Sequence, residues 1–180
     1  MSKDIAFVLA ATACAIAVYT DLRSRRVPNA LTLPLLCVAP ALAAFEGFQA
    51  ALIALAIVAS ALALGTVVHS AGVLGGGDVK LFAGVGALAG FPACIDVALY
   101  SALFGGLLAV VVSAARGELT AVLARVRSGV ASSVAGHSLA AGAAVIDARG
   151  TRIPYALAIG AGFAAAMLAQ SAVPFLRIIR

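Results

Sequence analysis

Charge is scarce in this sequence. Asp, Glu, Lys and Arg supply 11% of its 180 residues, 64% are hydrophobic, and the mean hydropathy is +1.15. A water-soluble domain carries about 25% charged and about 45–50% apolar residues. The composition therefore excludes a soluble domain and indicates a polytopic, all-α integral membrane protein. Tryptophan is absent and aromatics are 6%, so Ala, Leu, Val and Gly fill the apolar runs. Small side chains let helices approach closely where lipid gives them no hydrophobic reason to associate. The three cysteines, Cys14, Cys37 and Cys94, are far apart, each in or beside an apolar run, and form no CxxC pair. That excludes a zinc site and leaves them as small apolar packing residues. No HExxH is present, and neither His69 nor His137 lies beside a nucleophile motif, so metalloprotease and serine-hydrolase chemistry have no candidates. The net charge of +5 reads as loop arginines that set topology, not as a nucleic-acid surface. No metal or other cofactor is expected.

Taken in order, the apolar runs predict six membrane helices in a single domain over 1–180. The first spans Ile5 to Thr20. Its basic residues (Arg23, Arg25, Arg26) follow the run, whereas a signal peptide carries them ahead of it. The positive-inside rule then places the end of this helix, with Asp21, at the cytoplasmic face. Val27-Pro28-Asn29 turns the chain, with Pro28 near the first turn of helix two (Ala30 to Phe45), which holds Pro34 and Pro40. An outer turn over Glu46 to Gln49 leads to helix three (Ala50 to His69), which returns to the cytoplasmic side. Helix four runs from Asp78 to about Gly90, a span of only ~18 Å at 1.5 Å per residue. The hydrocarbon core is about 30 Å thick, so Asp78 is expected to be recessed from the cytoplasmic surface. Gly84, Gly86 and Gly90 are expected to be packing glycines on that helix. Helix five covers Ala93 to Ala114 and helix six Ile153 to Val173. Between them, residues 115–152 are read as a cytoplasmic loop. Leu119, Val122, Leu123, Val126 and Val130 repeat there at helical spacing, suggesting an amphipathic helix on the membrane surface that gates substrate entry.

Two stretches carry chemistry. Leu74-Gly75-Gly76-Gly77-Asp78-Val79-Lys80-Leu81 sets a carboxylate and an ammonium beside three glycines between long apolar runs. A charge inside a membrane segment costs roughly 2.5–3.5 kcal/mol by insertion scales, so it is a functional candidate by default. Glycine beside it allows close backbone approach, including by a substrate backbone. Its structural alternative is an N-cap of helix four. Asp21 is the second carboxylate, and the topology puts both at one face of the membrane. Two adjacent carboxylates share one proton. The ionised one takes a proton from water as it attacks a peptide carbonyl, and the protonated one donates to the carbonyl oxygen. Lys80 is read as snorkelling to the interface or as tuning the aspartate. Asp96, His69 and His137 are given structural roles only.

The pieces Asp21-Leu22-Arg23-Ser24-Arg25-Arg26-Val27-Pro28-Asn29 and Gly75-Gly76-Gly77-Asp78-Val79-Lys80-Leu81 resemble the two signatures of the type IV prepilin leader peptidases: an aspartate followed by a basic loop and aliphatic-Pro-Asn, and GxGDxKL. Arg152-Ile153-Pro154-Tyr155-Ala156-Leu157 resembles the family's C-terminal basic-aliphatic-Pro-Tyr/Phe segment, although longer members often have Gly-Pro where Ala156-Leu157 stands. GxGD alone is a weak pattern; the ordered set is specific. The resemblance implies an aspartyl endopeptidase of the bacterial inner membrane that removes the basic leader of prepilins at the cytoplasmic face. Asp21 and Asp78 would be its catalytic pair, supported by Gly75, Gly77, Lys80, Pro28 and Asn29. Its partners would be a prepilin and the bilayer, not nucleic acid. Longer relatives have a cysteine-bearing insertion after the first helix and also N-methylate the mature pilin. This chain has only Asp21 to Asn29 there, as in the short form tied to Flp or tight-adherence pili, and methyltransferase activity is not implied. Outside that family, a small transporter or channel subunit could use Asp78 and Lys80 as an ion or proton site.

Overall fold

In the computed structural model, residues 2–70, 74–118 and 155–172 are described, together with positions 120, 122, 124 and 127. The amphipathic helix expected over Leu119 to Val130, and the rest of the 115–152 loop beyond 118, lie outside these apart from the four single positions. The described residues form six helices and no strands: α1 (Ser2–Ser24), α2 (Asn29–Ala44), α3 (Phe48–Ser70), α4 (Gly76–Ala89), α5 (Ala93–Ala115) and α6 (Tyr155–Ala172). Asp4–Ser24, Phe48–Ser70 and Ala93–Ala115 are long and apolar enough to cross a bilayer, and Asn29–Ala44 and Tyr155–Gln170 are shorter apolar helices. The protein is an all-α polytopic membrane protein.

The helix boundaries follow local chemistry. The first helix continues past Thr20 to Ser24, so Asp21 belongs to its last turn rather than to the loop. It stops where Arg25 takes φ 53, the left-handed conformation that commonly closes a helix, with Arg25 N–H on the Asp21 carbonyl at 2.8 Å. Pro28 stands one residue before α2, in the N-cap position beside the first turn, and its carbonyl takes the N–H groups of Leu31 and Thr32. Pro34 and Pro40 lie inside α2 as expected. Gly47, with φ 128, makes the turn into α3.

The shortest helix is the central one. At 14 residues α4 rises ~21 Å, and it packs against each of the other five helices. Leu81, Ala83 and Val85 on it are 0% exposed. The neighbouring helices turn Leu64, Leu99, Leu103 and Leu168 outward, which lipid would cover. Small residues set the crossings. A Cβ on Gly84 would meet the Leu35 side chain at 2.7 Å, and one on Gly162 would meet the Ser101 backbone nitrogen at 2.5 Å. Gly84 and Gly86 are thus buried in the bundle as expected. Gly90 is not a packing residue: it ends α4 at φ +73 with open space around it. Cys14 is buried, whereas Cys37 is exposed on the outer side of α2. Asp96 accepts from Gln170 Nε2 at 3.4 Å, tying α5 to α6.

Candidate active site

Asp21 arrives at the end of α1 and Asp78 in the first turn of α4. Asp21 is 6% exposed although it is an ionisable residue in the last turn of a helix. Burying a carboxylate requires a donor. The donor is the backbone N–H of Ala156, at 3.2 Å from Asp21 Oδ2, in the first turn of α6. The first turn of any helix has N–H groups without intrahelical partners, so α6 presents its free donors to a carboxylate carried by α1. Arg25, held back over the helix end, lies within electrostatic reach of the same carboxylate.

Asp78 occupies the third position of α4, with Gly75 as the N-cap residue. Its carboxylate takes the backbone N–H of Gly75, which is the reaching-back half of a capping box. The N-cap role considered from sequence thus belongs to Gly75, which lacks a side chain, and Asp78 satisfies that residue instead. A Cβ on Gly75 would sit 2.7 Å from Asp78 Oδ2, so glycine leaves the carboxylate room to fold back. The other oxygen, Oδ1, is buried with no hydrogen-bond partner among the described residues. Asp21 and Asp78 interact electrostatically, and Asp78 also acts on the Tyr155 hydroxyl. Two carboxylates from α1 and α4 therefore converge beside the start of α6.

The remaining candidates tie the two motifs together. Lys80 Nζ donates to Asn29 Oδ1 at 2.9 Å. Its ammonium is therefore engaged with the start of α2 and is not simply snorkelling. Gly77 lets the Val27 backbone come close: a Cβ there would stand 2.8 Å from the Val27 carbonyl oxygen and 3.0 Å from Val27 Cβ. Pro28, between Val27 and Asn29, starts α2. His69 Nδ1 lies 2.7 Å from the Leu74 carbonyl oxygen, a structural contact at the end of α3. The Ala156 donor had a signal in the Pro154-Tyr155 segment, but nothing in the residues showed that it served Asp21.

A model of the type IV leader peptidase family matches residues 8–110, a range that includes both aspartates. Neither the curated proteins nor the solved structures gave a match.

Proposed function

Because the chain belongs to the type IV leader peptidase family, and is on that ground a membrane-embedded peptidase, we propose that it is an aspartyl endopeptidase acting through Asp21 and Asp78 on prepilins of the Flp type. The observation that carries this reading is that the two carboxylates, one from each motif, come within electrostatic reach of one another beside the start of α6. In this mechanism the pair shares a proton. The ionised carboxylate accepts a proton from water as the water oxygen attacks the scissile carbonyl carbon, and the other donates its proton to the carbonyl oxygen. Collapse of the tetrahedral intermediate returns a proton to the leaving amine. Asp78 Oδ1, without a partner among the described residues, is the oxygen free to hold the water or the carbonyl. Which carboxylate begins as base is a property of the pair.

Supporting roles follow from the contacts. Ala156 N–H orients Asp21, Gly75 orients Asp78, and the Lys80–Asn29 bond with Gly77 and Pro28 fixes the spacing between the two motifs. The arginines after α1 favour a cytoplasmic location for this end of the bundle. The protein would then work in the bacterial inner membrane, cutting on the cytoplasmic side, and the short loop between α1 and α2 supports a peptidase without methyltransferase activity. The test is a gel-shift cleavage assay in membranes with wild type, Asp21→Asn and Asp78→Asn, with insertion verified for each. Asparagine keeps the size and removes the titrating group. Wild-type cleavage with loss in both variants is expected; cleavage by either variant at near wild-type rate would sink the aspartyl pair. No cleavage by wild type, with ion flux that survives Asp21→Asn and is lost in Asp78→Asn, would instead favour a transporter.

A further inference from the structure

Asp78 is held by an amide that is itself held from the other side. The Leu74 carbonyl and the Gly75 N–H belong to one planar peptide unit. The N–H goes to the Asp78 carboxylate. Oδ2 is the oxygen folded back over Gly75, 2.7 Å from where a Gly75 Cβ would stand, and Oδ1 has no partner among the described residues. The carbonyl oxygen of the same amide lies 2.7 Å from His69 Nδ1. A carbonyl only accepts, so Nδ1 carries the proton and donates. The ring also rests on the start of α4, where a Cβ on Gly76 would stand 3.7 Å from both His69 Cε1 and Nε2. An imidazole on α3 is thus joined to a carboxylate on α4 through a single peptide group.

The amide needs that outer anchor. The next carbonyl along, that of Gly75, is fixed by α4 itself, which supplies the Val79 N–H at 3.1 Å. The Leu74 carbonyl takes its donor from a side chain instead. Glycine sets few limits on its own φ, so the amide ahead of Gly75 turns easily unless its oxygen is pinned. On the reading that Asp78 is catalytic, we infer that His69 is a positioning residue for it: the imidazole fixes the plane of the Leu74–Gly75 amide, so that the Gly75 N–H holds Oδ2 and leaves Oδ1 to the reacting water or carbonyl. The bond into the carbonyl also polarises the amide and strengthens its N–H as a donor, as hydrogen bonds in a chain do. His69 is itself exposed, so replacing it opens no hole in the bundle.

The test has an activity arm and a spectroscopic arm, with insertion verified for each variant. His69→Asn keeps an N–H donor near the Nδ1 position; His69→Phe and His69→Ala have none. Ser70→Ala, which removes the neighbouring side-chain bond to the Val67 carbonyl, is the control for the end of α3. On a prepilin substrate, His69→Phe and His69→Ala should lower kcat about tenfold, the worth of one hydrogen bond to a charged group, with KM within about twofold of wild type. His69→Asn should recover to within about threefold, and Ser70→Ala should match wild type. Leu-Gly occurs in the chain only at Leu64-Gly65 and Leu74-Gly75. Protein isotope-labelled at leucine carbonyls and glycine nitrogens therefore gives one amide NMR signal from the site and one reference signal from α3. Asp78→Asn should move the Gly75 proton. His69→Phe should move both that proton and the Leu74 carbonyl carbon, His69→Asn should return them towards wild type, and the reference signal should stay in place. Unchanged kcat in the two donorless variants, a loss that His69→Asn does not recover, or a Gly75 proton indifferent to His69→Phe would each overturn the inference and leave the peptidase reading intact. Wild type that cuts no prepilin would sink the peptidase reading, and the amide signals would still decide whether His69 reaches Asp78.

Discussion

Lys80 and Asn29 are joined by a hydrogen bond of 2.9 Å between the start of α4 and the start of α2. It is a direct link between the two motifs outside the aspartates. Hydrogen bonds to charged groups contribute about 1.5–3 kcal/mol, and the exposure of this one sets it at the low end. Lys80→Met and Asn29→Ala should each reduce kcat/KM by roughly tenfold, at 1.36 kcal/mol per factor of ten. The double variant should be little worse than either single one, because both remove the same bond. A double-mutant cycle on cleavage checks this; additive losses would show that the two side chains act separately.

The Ala156 N–H can be removed without shortening α6. Proline is tolerated in the first helical turn and has no N–H. Ala156→Pro should therefore leave membrane insertion in place and lower kcat by about a hundredfold, since it releases a buried Asp21 carboxylate oxygen from its donor at 3.2 Å. Ala156→Gly keeps the N–H and should stay within about threefold of wild type, a cost in keeping with glycine's lower helix propensity. The kcat values of the two variants, measured against the same prepilin, decide whether the bond or the side chain matters.

Gly105 and Gly106 are adjacent on α5 and should respond oppositely to alanine. A Cβ on Gly105 would stand 2.7 Å from the Tyr155 hydroxyl oxygen and 2.8 Å from its Cζ, whereas one on Gly106 meets nothing within 4 Å. Gly105→Ala should cost about 1–3 kcal/mol as an overpacked contact and displace Tyr155. Gly106→Ala should be neutral or stabilising by about 0.5–1 kcal/mol, because alanine restricts the unfolded backbone and both fit a helix. Unfolding in detergent, followed by circular dichroism, separates the two.

Much of this arrangement was legible in the residues. Apolar runs placed all six helices to within a few residues, because lipid requires an uninterrupted apolar stretch and prolines and glycines mark its ends. The convergence of Asp21 and Asp78 at one end of the bundle followed from counting crossings between them. What pairwise spacing could not supply was long-range partnership. The centrality of α4 is a property of packing, and its short length suggested a recessed aspartate without suggesting that five helices surround it. Lys80 looked like a snorkelling side chain because Asn29 is distant in sequence. Gly90 looked like its packing neighbours Gly84 and Gly86, and only its φ of +73 distinguishes a helix-ending glycine from one that seats a side chain. The bond from Ala156 to Asp21 was invisible for a simpler reason: a backbone N–H carries no sequence identity that could name its acceptor.

That same donor has a consequence for the newly made chain. Asp21 and Ala156 are separated by 135 residues, and synthesis at about 5–20 residues per second takes roughly 7–27 s to cover that distance. Both aspartates enter the membrane well before α6 is made. Until then the Asp21 carboxylate lacks its Ala156 donor. A nascent chain therefore carries Asp21 and Asp78 in the membrane before the Ala156 donor exists. On the reading that the two aspartates are catalytic, cutting power arrives only with α6, so synthesis itself delays the protease until that helix is in place.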